Sequence, residues 1–250
     1  MVTDYDAGET AQLYQRAKNT LPIYQVDTYS LMQRIGDVSS LKVLDIACGE
    51  GHFTRRLRRA GAAKVVGLDI SEEMIRLARD QESADPLGIE YVVGDARTAA
   101  DPPSDYDIAV AAFLLVYARS RDEVATMCRG LASRVRQGGR FVTITVNPDL
   151  YFFDPAPDYR KYGFGIRLAN HAYDGAPINF SVLLTDATLE IENYYMPLET
   201  YREELMSAGF ADVGVYGLSV PPHARADHEP GFWDVLEAHP VFVLLDCVKA

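Results

Sequence analysis

Little in the chain marks it as secreted, membrane-spanning or nucleic-acid-binding. Three cysteines, Cys48, Cys128 and Cys247, are scattered through 250 residues. None lies close enough to another for a Cys-x-x-Cys pair, which argues against a disulfide framework and against a metal site. Reduced cysteines suit a cytoplasmic location. No apolar run is long enough to cross a bilayer, so no membrane association is expected. Residues 1–6 are acidic and lack the apolar core of a signal peptide. Positive charge is also scarce: 24 Lys and Arg face 36 Asp and Glu, a net charge of -12. A nucleic-acid partner calls for a basic footprint, which this balance does not supply. The one local basic run, Arg55, Arg56, Arg58 and Arg59, reads as the solvated face of a helix.

What is present fits one large domain with an ordinary core, since 48% of residues are hydrophobic and 24% charged. Short apolar runs over 42–47, 64–70, 89–94, 106–115 and 140–146 read as buried parallel strands. Helical stripes lie between them. Phe53, Leu57 and Ala60 form one, stopped by Gly61. Ser71 is an N-cap for a second, with Glu72 and Glu73 in its first turn. Val124, Met127, Leu131 and Val135 form a third. The alternation predicts a doubly wound α/β core over residues 41–146.

The flanks follow other rules. Residues 1–40 read as a helical cap rich in tyrosine (Tyr5, Tyr14, Tyr24, Tyr29), with Pro22 breaking or starting a helix. Residues 147–197 are rich in aromatics and glycine and read as a cap insertion over a substrate. Within them 181–186 and 188–195 are candidate paired strands. Residues 198–250 supply a closing helix over 198–208 and two closing strands, 212–220 and 241–249.

The turn Asp45-Ile46-Ala47-Cys48-Gly49-Glu50-Gly51 follows the first strand and opens a helix. Small residues there let a ligand approach the backbone, and the helix N-terminus offers free N–H groups. A dinucleotide fingerprint needs a third glycine, but Thr54 stands in its place. Asp45 would repel a pyrophosphate and suits a cationic amino group. Asp69, at the end of the second strand, can accept from ribose hydroxyls. Asp95, in Gly94-Asp95-Ala96, can accept from an adenine amine. Three acids at three strand ends thus match three parts of one ligand.

These segments resemble motif I, the acidic loop after it and motif II of class I S-adenosylmethionine-dependent methyltransferases, with Ala47 in place of the usual first glycine. The resemblance implies a Rossmann-like α/β fold, a seven-stranded mostly parallel sheet in the order 3-2-1-4-5-7-6. It implies S-adenosylmethionine as cofactor, leaving as S-adenosylhomocysteine. The implied cofactor contacts are Tyr14, Asp45, Ala47, Cys48, Gly49, Gly51, Asp69, Ile70, Met74, Gly94, Asp95, Ala96, Ala112 and Phe113. A closer resemblance rests on Ile35-Gly36-Asp37-Val38, on Gly61-Ala62-Ala63-Lys64-Val65-Val66-Gly67 and on Pro230-Gly231-Phe232-Trp233-Asp234-Val235. Together they look like the small secondary-metabolism methyltransferases of the toxoflavin and teleocidin pathways, which act on heterocycles or indole alkaloids.

That resemblance implies methyl transfer to nitrogen or carbon of a small heterocyclic substrate. Phe113, Tyr117, Tyr151, Phe164, Tyr173 and Tyr194 are candidates to line its pocket, and His171 is the candidate base if the acceptor must lose a proton. Competing readings are an O-methyltransferase using His171, an NAD-dependent oxidoreductase, and a cofactor-binding regulator without catalysis. The surplus of N-terminal tyrosines also predicts a homo-oligomer assembled through the N-terminal helix.

Overall fold

A computed structural model describes residues 3–100 and 104–250. Met1 and Val2, counted above in the acidic N-terminus, lie outside the described residues. The order of elements is α1 (Gly8–Thr20), α2 (Pro22–Ile35), β1 (Lys42–Ile46), α3 (His52–Arg59), β2 (Lys64–Asp69), α4 (Glu72–Ala84), β3 (Glu90–Val93), β4 (Tyr106–Ala112), α5 (Arg121–Ala132) and β5 (Val135–Val146). Then come β6 (Phe164–Leu168), β7 (Pro177–Leu183), β8 (Thr188–Tyr194), α6 (Leu198–Ser207), β9 (Phe210–Tyr216), α7 (Pro222–Ala226), α8 (Asp234–Ala238) and β10 (Phe242–Lys249).

Seven strands form one sheet in the order β3-β2-β1-β4-β5-β10-β9. Counted within that sheet, this is the expected 3-2-1-4-5-7-6. The first five strands are parallel, and β10 enters antiparallel to both β5 and β9. The strand order reverses between β1 and β4, and the crevice beyond their carboxyl ends is where such sheets bind ligands. β1 and β4 read as continuous apolar runs because helices cover both faces. Val43, Ile46, Ala109, Val110 and Ala111 are all fully buried.

Pro22 starts α2 at its first helical position, where its missing N–H costs nothing. Ser71 caps α4 by accepting from the Met74 N–H. Residues 147–197 read as a cap insertion with two paired strands. They hold β6, β7 and β8, a separate antiparallel sheet. Its inner face follows period two, with Ile178, Phe180 and Val182 buried on β7 and Leu189, Ile191 and Asn193 on β8. This sheet and α2 both join the core around Val142, Ile144 and Phe242. The Phe232-Trp233 segment packs behind it, Trp233 stacking on Tyr162 with centroids 5.4 Å apart.

Candidate functional site

The turn between β1 and α3 carries three residues of left-handed backbone, Ala47 at φ 56°, Gly49 at 56° and Gly51 at 90°. At Gly51 only glycine fits, since a Cβ would meet the Tyr91 hydroxyl at 2.4 Å. Asp69 fixes the turn from the neighbouring strand. One of its oxygens accepts from the Gly49 N–H at 2.7 Å, the other from the Ser71 N–H at 2.9 Å. Asp45 lies beneath, 1% exposed. Its Oδ2 accepts from the Thr54 hydroxyl at 2.6 Å, while its Oδ1 has no partner. Burial lifts the Asp45 carboxyl to about 7, partly opposed by the Thr54 hydrogen bond and by Lys18. Thr54, which displaced the third glycine of a dinucleotide site, thus holds the acid in place.

Lys18 belongs to the same site, though nothing in its sequence context singles it out. It projects from α1 and is 6% exposed, pairing with the buried Glu50 at 3.3 Å and lying 4.5 Å over the Tyr14 ring. Its Nζ stands 3.6 Å from where a Gly49 Cβ would be, and the Met74 sulfur 3.8 Å from the same point. An orphaned acid below the glycine turn and an ammonium above it match the two charges of an amino-acid zwitterion. The donor set therefore fits S-adenosylmethionine.

The adenosine end is less simple. Ile70 is 59% exposed at the rim, and Ala96 is buried. Gly94 lies on the same loop, its N–H bonded to the Asp69 carbonyl at 2.8 Å. Asp95 is not open as expected: the Arg97 guanidinium takes both of its oxygens, Oδ1 at 3.0 Å and Oδ2 at 2.7 Å. Cys48 turns its side chain away, into the small core with Ile75 and Tyr91. Only its backbone faces the turn.

Tyr5 and Asp6 close the crevice. The Ser71 hydroxyl bonds the Tyr5 carbonyl at 3.1 Å and the Asp6 carboxylate at 2.7 Å. The Tyr5 hydroxyl meets that of Tyr117, on the other side of β1, at 2.6 Å. A segment tied to the loops after β2 and β4 must cross over the end of β1. Tyr5 and Tyr14 meet edge to face, as do Tyr14 and Tyr24. Three of the four tyrosines that motivated an assembly role therefore pack within this chain.

Beyond this layer lies a second pocket. Phe113, at φ 64° just after β4, turns its ring onto Phe242. Tyr14 and Tyr24, Phe113 and Tyr117, and Phe164, Phe180 and Ile191 line the pocket, with Asp27 and Asn193 as polar members. Of the six substrate candidates, Phe113, Tyr117 and Phe164 are brought together here. Tyr151 instead donates to the Pro177 carbonyl at 3.1 Å and packs on Tyr195. Tyr173 is half exposed, and Tyr194 is held by Glu192 and by the Arg119 guanidinium over its ring. His171 is exposed, beside Tyr173, and does not line the pocket. The expected base stands on the turn between β6 and β7, apart from the residues that line the aromatic cavity. Asp27 and Asn193 went unnoticed in the sequence. Their signal is a broken pattern, a polar residue where helix or strand periodicity calls for an apolar one.

Among the described residues no helix is long and apolar enough to cross a membrane, and no group of His, Cys, Asp and Glu is arranged to hold a metal ion.

Residues 43–139 match the family model described as "Methyltransferase domain". Over 98% of its length the chain is 27% identical to the N-demethylindolmycin N-methyltransferase of Streptomyces griseus, itself covered to 98%. The chain is a class I S-adenosylmethionine-dependent methyltransferase. Its cofactor is S-adenosylmethionine, which removes the NAD-dependent oxidoreductase from consideration. The fold has close counterparts among solved structures. One is an S-adenosylmethionine-dependent methyltransferase from Mesorhizobium loti, with TM-score 0.63 and 23% identity over 88% of this chain and 96% of that one. Another, from Clostridium acetobutylicum, has TM-score 0.64 and 13% identity over 97% of this chain and 98% of that one.

Proposed function

We propose that this methyltransferase acts on nitrogen or carbon of a small, flat heterocycle of secondary metabolism. The observation that carries the reading is the aromatic pocket directly beyond Tyr14 and Tyr117, walled by Phe113, Phe164 and Phe180. The S. griseus relative, by its name, methylates a nitrogen of demethylindolmycin.

When bound, S-adenosylmethionine supplies a methyl group already activated on a sulfonium. The chain's own residues then have to hold, align and keep dry. Asp45 would hold the cofactor's ammonium, and Lys18, which also pairs with Glu50, its carboxylate. Asp69 keeps lone pairs that would accept from ribose hydroxyls, and the segment around Asp95 and Ala96 would border the adenine. The faces of Tyr14 and Tyr117 suit both a sulfonium and a stacked ring. Tyr5 and Tyr14 exclude water. The free, buried cysteines agree with a reducing cytoplasm.

The test is transfer of labelled methyl from S-adenosylmethionine to a panel of aromatic nitrogen heterocycles, beside a matched panel of phenols and aliphatic amines. Transfer confined to the heterocycles is expected. Transfer to phenols alone would overturn the reading in favour of O-methylation.

A further inference from the structure

α2 buries Ile23, Val26, Asp27, Ser30 and Leu31, spaced as one helical stripe. An apolar side chain belongs at the third place, and an aspartate stands there. Asp27 is 1% exposed, and neither of its carboxyl oxygens has a hydrogen-bond partner. It lines the aromatic pocket beside Tyr14, Tyr24 and Tyr117. A buried carboxyl without a donor destabilises the fold. Among the described residues no lysine, arginine or histidine lines the pocket. The donor it lacks therefore comes from whatever the pocket holds.

We propose that Asp27 recognises an N–H group of the acceptor, so that the substrate class is nitrogen heterocycles bearing a ring or exocyclic N–H and the methylated atom is nitrogen. The proposal rests on the methyl-transfer reading above. It follows from charge. A nitrogen attacking a methyl group becomes positive, and a carboxylate among tyrosine faces favours that charge. An oxygen acceptor must instead gain anionic character, beside an acid and with no cation in the wall to offset it. In the step itself the nitrogen lone pair forms the N–CH3 bond. The S–CH3 bond breaks with its electron pair left on sulfur, and the N–H proton passes to the ionised Asp27 carboxylate. The sulfonium has become a neutral thioether, the methylated nitrogen is neutral and Asp27 is protonated, so the step creates no net charge in the pocket.

Binding to the S-adenosylhomocysteine complex by calorimetry tests this with probes that differ in a single atom. Benzimidazole is compared with benzothiazole, indole with benzothiophene, and 2-naphthol serves as the O–H control. The N–H member of at least one pair is expected to bind about tenfold more tightly than its sulfur isostere. Asp27→Leu should erase that preference. Asp27→Asn, which keeps an acceptor oxygen, should retain a reduced one. No preference in any pair, a preference that survives Asp27→Leu, or tighter binding of 2-naphthol overturns the assignment. Thermal shift with S-adenosylhomocysteine separates the two levels. Stabilisation of all three proteins with no N–H preference sinks Asp27 alone, while no stabilisation of the wild type sinks the cofactor site beneath it.

Discussion

Asp45 offers the sharpest test of the cofactor site, because its carboxyl sits near the middle of the accessible pH range. Burial holds it at about 7. Pairing with the cofactor's ammonium requires the ionised form, so binding at lower pH must first release a proton. With that value the ionised fraction falls from about nine-tenths near pH 8 to about one-tenth near pH 6. Affinity for S-adenosylhomocysteine should therefore drop about tenfold across that interval, or ~1.4 kcal/mol. The sign is fixed: affinity rises with pH and levels off above about 8. His52, lying against the same turn, does not confuse the result, since burial and the nearby cations Lys18 and Arg56 hold it at about 2 and it stays neutral throughout. Calorimetry in two buffers of different ionisation enthalpy reads the affinity and the released proton together. Asp45→Asn should weaken binding near pH 8 by about 1.5–3 kcal/mol, the worth of a charged hydrogen bond, and flatten the slope. A pH-independent affinity in the wild type, or an unchanged slope in the variant, refutes the reasoning.

Three further expectations follow from the packing. Gly130→Ala places a Cβ 1.9 Å from the Ala96 carbonyl, so α5 and the loop after β3 cannot both stay in place. A loss of about 1–3 kcal/mol in chemical denaturation is expected, with weakened binding of adenosine compounds. Asp27→Leu removes a buried carboxyl without a partner and should raise the melting temperature by roughly 2–8 °C, the trade of stability for function seen at binding sites; a lower melting temperature would mean that the carboxyl is satisfied in solution. The cysteines should resist iodoacetamide in the native state, because burial raises all three thiols, Cys128 to about 12. Peptide mapping before and after denaturation checks this.

The cofactor half was legible in the sequence because its parts are local. A strand, a tight turn and a helix start lie within one stretch, and three acids stand at three strand ends. The sheet order came through the resemblance, and β10 entering antiparallel agrees with it. The acceptor half was harder to read because its parts meet only in space. Asp27 comes from α2, Phe113 from the loop after β4 and Asn193 from β8. Aromatic content alone put Tyr151, Tyr173 and Tyr194 beside Phe164. Strand alternation separates them, since Phe164 lies on the inner face and Tyr194 is one residue beyond the inward Asn193. Arg97 closing on Asp95 is a two-residue fork that no strand-end pattern announces.

The segment at Tyr5 and Asp6 has a mechanical consequence. Its tether to Ser71 and its contact with Tyr117 lay it over the end of β1, against the loop after β2 on one side and a wall residue of the aromatic pocket on the other. The neighbouring α1 carries Lys18, and α2 carries Asp27. Displacing this segment would therefore loosen both sides of the site at once. The two halves of the site are thus joined through one short stretch of backbone rather than built independently.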